Sequence, residues 1–250
     1  MNKSIFSHRS IRNFKQDAIP ENLMKKILEA AIRASNTGNM QAYSIVVSTE
    51  KAIKEKLLPL HFNQKMVVEA PAVITFCADL NRFEKWCKLR NAEPQYDNFL
   101  WLYTASIDAV IAAQNLCIAA EDEGLGICYL GTTNYTAKQI IDVLNLPKLV
   151  IPVTTVVLGY PNENPELTER LPLEAVVHFQ KYSEYSDNDI NSLYAEKESL
   201  ELSRKLIVEN ETENLAQIFT QKRYTGKNNI HFSKELLKAI EEQGFMNNDN

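Results

Sequence analysis

The chain is poor in the small residues from which nucleotide-binding loops are built. Seven glycines and nine prolines serve 250 residues. Gly124 and Gly126 stand at a helix end, before a strand rather than after one, so they do not make a dinucleotide-binding fingerprint. Cysteine pairing is also missing. Cys77, Cys87, Cys117 and Cys128 are widely spaced, with no metal-ligand or redox spacing among them, and they read as small core residues. His8, His61, His178 and His231 form no cluster, so no metal site is expected.

Positive charge is in deficit. Lys and Arg number 27 against 32 Asp and Glu, a net charge of -5. That balance lacks the basic field on which nucleic-acid binding depends, and no nucleic-acid partner is expected. Long apolar runs are absent as well. The longest, near Ile107–Ala120, is broken by Asp108, Gln114 and Asn115, and is expected to be too short and too polar for a membrane span. Met1–Phe6 leads directly into His8 and Arg9 without a signal-length apolar stretch, so a cytoplasmic protein is expected. Finally, no serine–histidine, cysteine–histidine or paired-carboxylate constellation stands out. If the chain is an enzyme, a cofactor carries the chemistry while the protein binds and orients it, and no side chain is assigned a catalytic role.

What is present is globular: 45% hydrophobic and 24% charged residues. Strand and helix signals alternate without internal repeats. A helix is predicted from Pro20 and Glu21 to about Ala34, with Leu23, Met24, Ile27, Leu28 and Ala31 on one stripe. Strands are predicted at Tyr43–Ser48, Ala72–Ala78, Ile127–Leu130 and Val153–Leu158, with a further one at Val176–Gln180. Helices are predicted at Lys51–Leu58 and Thr136–Leu144. From about Thr104 to Glu123 the pattern is helical and apolar on nearly every side. Such a helix must be covered all round, by the rest of one chain or by a second subunit. After Tyr182 the chain becomes more charged, with helical stretches near Asp189–Val208 and Ser233–Glu242. Residues 1–182 are therefore expected to form a core and 183–250 an extension of the same domain.

Four clusters carry the chemistry. The run His8-Arg9-Ser10-Ile11-Arg12 offers planar cationic forks and a hydroxyl to a phosphate, although its spacing alone also fits a solvated basic turn. Asn36, Asn39 and Gln41 place amides, which both donate and accept, in a loop ahead of a strand; the same residues would also suit an ordinary loop. Tyr129-Leu130-Gly131-Thr132 closes a strand, where Gly131 would let a ligand approach the main chain. Arg170 lies in a proline-rich loop, where a surface role is equally open.

In this order, these clusters resemble the nitroreductase family of FMN-dependent oxidoreductases, closest to its NADPH-preferring, oxygen-insensitive nitroreductase and flavin reductase branch. The most specific stretch is Leu158-Gly159-Tyr160-Pro161 with Asn164-Pro165 and Arg170-Leu171-Pro172. The resemblance implies an α+β fold, with a mixed β-sheet flanked by helices, in an intertwined homodimer holding two FMN at its interface. It implies that His8, Arg9, Ser10, Arg12 and Arg170 hold the FMN phosphate and ribityl chain. It places Asn36, Gln41, Gln64 and Lys65 near the flavin, and Tyr129, Leu130, Gly131 and Thr132 along the ring near N5. It assigns Arg223, reinforced by Lys222 and Lys227, to the 2′-phosphate of NADPH, with NADH also possible; these basic residues equally fit a solvated turn. The implied activity is ping-pong, two-electron hydride transfer through FMN N5 to nitroaromatics, quinones or flavins. Free-flavin reduction, dehalogenation on the same scaffold, or FMN binding without turnover stay open as alternatives. The chain departs from the family at Thr168, where close relatives carry a lysine; Lys65 is a candidate to compensate.

Overall fold

The computed structural model describes residues 3–248. Met1, Asn2, Asp249 and Asn250, at the ends of the leader and extension readings, lie outside the described residues. The chain divides into two compact units, Met1–Glu166 with Phe232–Asn250, and Leu167–His231.

The first unit opens with α1 (Lys3–Ser7) and α2 (Glu21–Ile32). It continues through β1 (Tyr43–Ser48), α3 (Lys51–Leu57), α4 (Met66–Glu69) and β2 (Ala72–Asp79). Then come α5 (Asn81–Lys88), α6 (Phe99–Asp122), β3 (Gly126–Leu130), α7 (Ala137–Leu144) and β4 (Val150–Gly159). The strands form one sheet of order β1-β2-β4-β3. Every ladder is antiparallel where a mixed sheet was expected; the parallel pairing among the described residues is a bridge between Ser10 and Ile127.

The central strand β2 is buried at all eight positions, because helices cover both faces of the sheet. Its side chains alternate with period two. Ala72, Ile74 and Phe76 join the cluster built with Ile27 of α2 and Ala112 and Leu116 of α6. Val73 joins Leu57, Met66, Val67 and Ile140 on the other face. Close approach to the sheet is reserved by glycine. A Cβ on Gly126 would fall 2.6 Å from Ile11 Cγ1, so the N-terminal segment can lie against β3 only because that carbon is missing.

Helix α6 starts five residues earlier than its apolar pattern suggested. The Asn98 side chain caps it by accepting the Trp101 amide at 3.2 Å. By length and apolar content it could cross a membrane, so the expectation of too short a stretch does not hold; instead 44% of its most apolar window is buried. It packs on α2 and on the sheet through Ala105, Ala109, Ala112, Ala113 and Leu116. The opposite stripe, Leu100, Tyr103, Ile107 and Val110, stays exposed, so a single chain does not cover the helix all round.

The second unit contains α8 (Asp187–Ser199), α9 (Glu201–Glu209), α10 (Leu215–Gln217) and a wide-pitched π-helix over Ile218–Arg223. The helical stretch expected over Asp189–Val208 breaks at Leu200, whose ψ of 142° is extended. Ser186 and Asp189 form a reciprocal capping box at the start of α8. The strand expected at Val176–Gln180 does not form: a turn at Leu173–Ala175 precedes it, and Val176 and Phe179 are exposed, with no strand among the described residues paired to them. α11 (Gly226–Gln243) follows, and its residues from Phe232 onward belong to the first unit. There Ala239 and Ile240 pack with Leu80, Leu102 and Ile151, and Gln243 donates to Val150 O at 2.8 Å.

Candidate functional site

Ile11 and Phe14 anchor the N-terminal segment, both nearly fully buried. The Ile11 amide donates to Ile127 O at 2.9 Å, and Phe14 bridges Pro161. With these positions turned inward, the polar residues of the run are left at or near the surface. His8 Nδ1 lies 2.7 Å from Glu121 Oε1 at the end of α6. Arg9 Nε donates to Pro165 O at 2.7 Å and its Nη1 to Ser7 O at 2.9 Å, which fixes the guanidinium plane. The Arg12 and Asn13 amides both donate to Glu163 Oε1. Arg9 lines a cavity of about 370 Å³ together with Glu121, Asp122 and Glu163, so three carboxylates share this surface with the arginine.

The second cluster folds as a tight loop. Gly38, Asn39 and Gln41 all take left-handed backbone, with φ of 56°, 55° and 52°. The Asn36 carboxamide accepts the Gln41 amide at 3.0 Å, and Arg82 donates to Gln41 O. Asp108 of α6 accepts the Thr37 amide and hydroxyl. Gln41 borders a separate cavity of about 400 Å³ with Tyr43 and Arg82. The Tyr43 hydroxyl is buried without a hydrogen-bond partner among the described residues, and burial pushes its pKa up, with Asp108 adding to the shift.

The third cluster closes β3. Leu130 is buried, Tyr129 is half-buried, and Gly131 is exposed, with nothing within 4 Å of a Cβ placed on it. Burial raises the Tyr129 phenol, reinforced by Cys117. Thr132 is buried and its hydroxyl meets His61 Nδ1 at 2.8 Å. Gln64, in the loop after His61, donates to His61 O at 3.0 Å, while Lys65 is exposed at the start of α4. Burial lowers His61 to a pKa of about 4, so its ring is neutral at ordinary pH.

These clusters do not all converge within one chain. The N-terminal segment and Tyr129–Thr132 share β3. Asn36 and Gln41 precede β1, at the opposite edge of the sheet. Three strand spacings separate the two edges, about 14 Å.

In the second unit, Arg170 is exposed and donates to Thr168 O and Glu169 O at 3.1 and 3.0 Å. Glu169 pairs with Lys197 at 3.0 Å, and that hydrogen bond holds the carboxyl below its usual range. Lys222 and Arg223 end the π-helix, both exposed, and the Arg223 guanidinium stands 5.8 Å from the Phe219 ring centre. Lys227 is exposed in the first turn of α11.

His61, Asp108, Glu121 and Glu163 also stand at these clusters. Asp108 carried a visible signal, a carboxylate inside an apolar helix. The other three make their contacts with residues far along the chain and carried none. Among the described residues no cluster of metal-ligating side chains occurs.

Residues 5–160 match the model of the nitroreductase family. The chain is 36% identical over 175 residues to the oxygen-insensitive NADPH nitroreductase of Salmonella typhimurium, covering 70% of this chain and 71% of that one. It is 33% identical over 188 residues to the FMN reductase (NADPH) of Bacillus subtilis, covering 74% and 76%. A crystal structure of an oxidoreductase from Bacteroides fragilis superposes with a TM-score of 0.97 at 49% identity, over 98% of this chain and all of the other.

Proposed function

The chain belongs to the nitroreductase family, and on that premise we propose that it is a cytoplasmic, homodimeric, NADPH-dependent oxidoreductase that uses FMN to reduce nitroaromatics, quinones or flavins. The observation that carries this reading is the seating of the Arg-bearing segment 8–12 along β3, the strand that ends on the open Gly131.

The cationic run 8–12 and the open main chain at Gly131 support FMN as the ligand, and its phosphate would have to displace the contacts that Glu121 and Glu163 make there. Arg9, Ser10 and Arg12, with His8, would hold its anionic tail, since guanidinium forks match phosphate geometry. Gly131 leaves room for a flat ring against the main chain, and Tyr129, Leu130 and Thr132 would line that ring. Bound FMN supplies two-electron hydride chemistry that no side chain of this protein offers. The protein's own part is to bind, to orient and to exclude water. Gln64 and Lys65 would approach the ring from the neighbouring loop. Arg170 is proposed as a further phosphate cation on the resemblance alone.

A shared site explains the split across the sheet. Asn36 and Gln41 sit at the β1 edge and Tyr129–Thr132 at the β3 edge, so a second copy would bring one chain's amides to the other's ring pocket. The exposed stripe Leu100, Tyr103, Ile107 and Val110 supplies an apolar surface for that second copy. Arg223, with Lys222 beside it and Lys227 in the next helix, would meet the 2′-phosphate of NADPH.

Steady-state turnover of the FMN-loaded protein tests the reading. NADPH oxidation that depends on added menadione or a nitroaromatic is expected. Tight FMN binding without any NADPH oxidation would leave only a binding protein.

A further inference from the structure

We propose that His61 is a positioning residue that fixes the Gly131–Thr132 turn through the Thr132 hydroxyl; this rests on the reading that the turn lines the flavin. His61 is fully buried, and its Nδ1 lies 2.8 Å from Thr132 Oγ1. Its other ring nitrogen, Nε2, is buried and has no hydrogen-bond partner among the described residues. A neutral imidazole has one N–H to give. Whichever nitrogen carries it, one satisfied contact is kept and one polar atom is left unpaired. An aliphatic side chain would avoid that orphan, so core packing alone does not account for a histidine here.

The surroundings show what the contact fixes. The His61 loop and the Thr132 loop are joined at two further points. Thr136 Oγ1 donates to Leu60 O at 2.9 Å, and the Phe62 and Tyr135 rings stack at 6.0 Å. Phe232 of α11 lies against both rings, stacked on Tyr135 at 4.5 Å and tilted to Phe62 at 6.0 Å. Phe62 and Asn63 both take left-handed backbone, at φ of 56° and 57°, a conformation that aromatic side chains rarely adopt. This bend follows directly after His61 and reverses the chain, leaving the histidine inside and Phe62 half exposed. Thr132 in turn holds the next turn, since its carbonyl accepts the Tyr135 amide at 3.0 Å. The Gln64 side chain, on the other flank, donates to His61 O. His61 therefore stands between two stretches, Gln64–Lys65 and Tyr129–Thr132, that the proposed function places at the cofactor. The His61–Thr132 bond, continued by Gln64 Nε2 donating to His61 O, links the two stretches.

The test is a double-mutant cycle on FMN binding and on the midpoint potential of bound FMN, using His61→Leu, Thr132→Val and the double variant. Each single variant should weaken FMN binding by about fivefold or more. The double variant should be no worse than either single one, because one contact is lost in all three. Both single variants should shift the midpoint potential in the same direction and by similar amounts. A tenfold change in relative affinity for the two redox states reads as about 30 mV for a two-electron couple. Thr132→Ser keeps the hydroxyl, so adding His61→Leu to it should cost as much FMN affinity, relative to Thr132→Ser alone, as His61→Leu costs in the parent. His61→Asn, whose amide can reach the place of Nδ1, should retain most of the affinity and supplies a folded alternative should His61→Leu fail to fold.

Independent, multiplying effects of the two single variants would overturn the proposal. So would a fall in apoprotein melting temperature with FMN affinity and potential unchanged, since that is a purely structural role. Arg12→Ala separates the two levels. If it weakens FMN binding while the His61–Thr132 coupling is absent, the positioning role fails and the cofactor site stands. If neither Arg12→Ala nor Thr132→Val changes FMN affinity, the site reading itself fails and the proposal goes with it.

Discussion

Asp108, buried in the middle of α6, receives the Thr37 amide on its two carboxylate oxygens, at 3.0 and 3.2 Å, and the Thr37 hydroxyl at 3.2 Å. One side chain thus fastens the Asn36–Gln41 loop to the longest helix of the core. Removing it takes their acceptor from the amide and hydroxyl of Thr37, which is exposed, so water makes up part of the loss. Asp108→Ala should lower stability by about 1–2 kcal/mol, and the melting temperature by roughly 3–8 °C. Thermal unfolding followed by circular dichroism checks this. A melting temperature equal to the parent's would mean that the loop does not lean on Asp108.

His61 gives a pH signature. Burial holds its folded pKa at about 4, against an ordinary value of 6.5. Between those values the unfolded chain binds a proton that the folded chain refuses. Stability should therefore fall as pH drops from 6.5 toward 4, by about 3 kcal/mol across the window. Urea unfolding at several pH values measures the slope. His61→Asn should flatten it over the same range; an unchanged slope would assign the acid sensitivity to other groups.

The apolar stripe of α6 predicts the assembly state. Ile107 and Val110 are 44% and 46% exposed in the single chain, on a helix otherwise packed into the core. Light scattering on the parent protein should give the mass of two chains. Ile107→Glu with Val110→Glu should shift it toward one chain and weaken FMN retention together. A monomeric parent that holds FMN would contradict a shared site.

Arg223 predicts nicotinamide choice. Its guanidinium is exposed and braced over Phe219. Arg223→Ala should raise KM for NADPH by about 10- to 100-fold, the loss of one charge-assisted contact, with little change for NADH. Equal changes for both nucleotides would remove Arg223 from phosphate recognition.

Much of the scaffold was legible because its periods are strong. The stripe Leu23, Ile27 and Ala31 marked α2, and the apolar runs marked β1 and β2 to within two residues. Where structure and pattern part, the causes are local. Val176–Gln180 has strand-forming residues, but no strand among the described residues lies beside it. The start of α6 was hidden because its first turn is aromatic and its cap, Asn98, looks like any loop asparagine. The candidate site was legible where residues cluster along the chain, as at 8–12 and 129–132. His61 was not, since its partner lies 71 residues away and no local pattern announces it. The placement of Asn36 and Gln41 on the far edge of the sheet from Tyr129 also needed the strand order, which residue spacing does not encode.

The central claim is that this chain holds FMN and passes electrons from NADPH through it. Titration of purified protein with FMN, followed by anaerobic addition of NADPH while the visible flavin absorbance is recorded, tests it most directly. The account predicts one FMN bound per chain, bleaching on NADPH addition, and return of the absorbance when menadione is admitted. Protein that binds no FMN, or holds FMN that NADPH leaves oxidised, would contradict it.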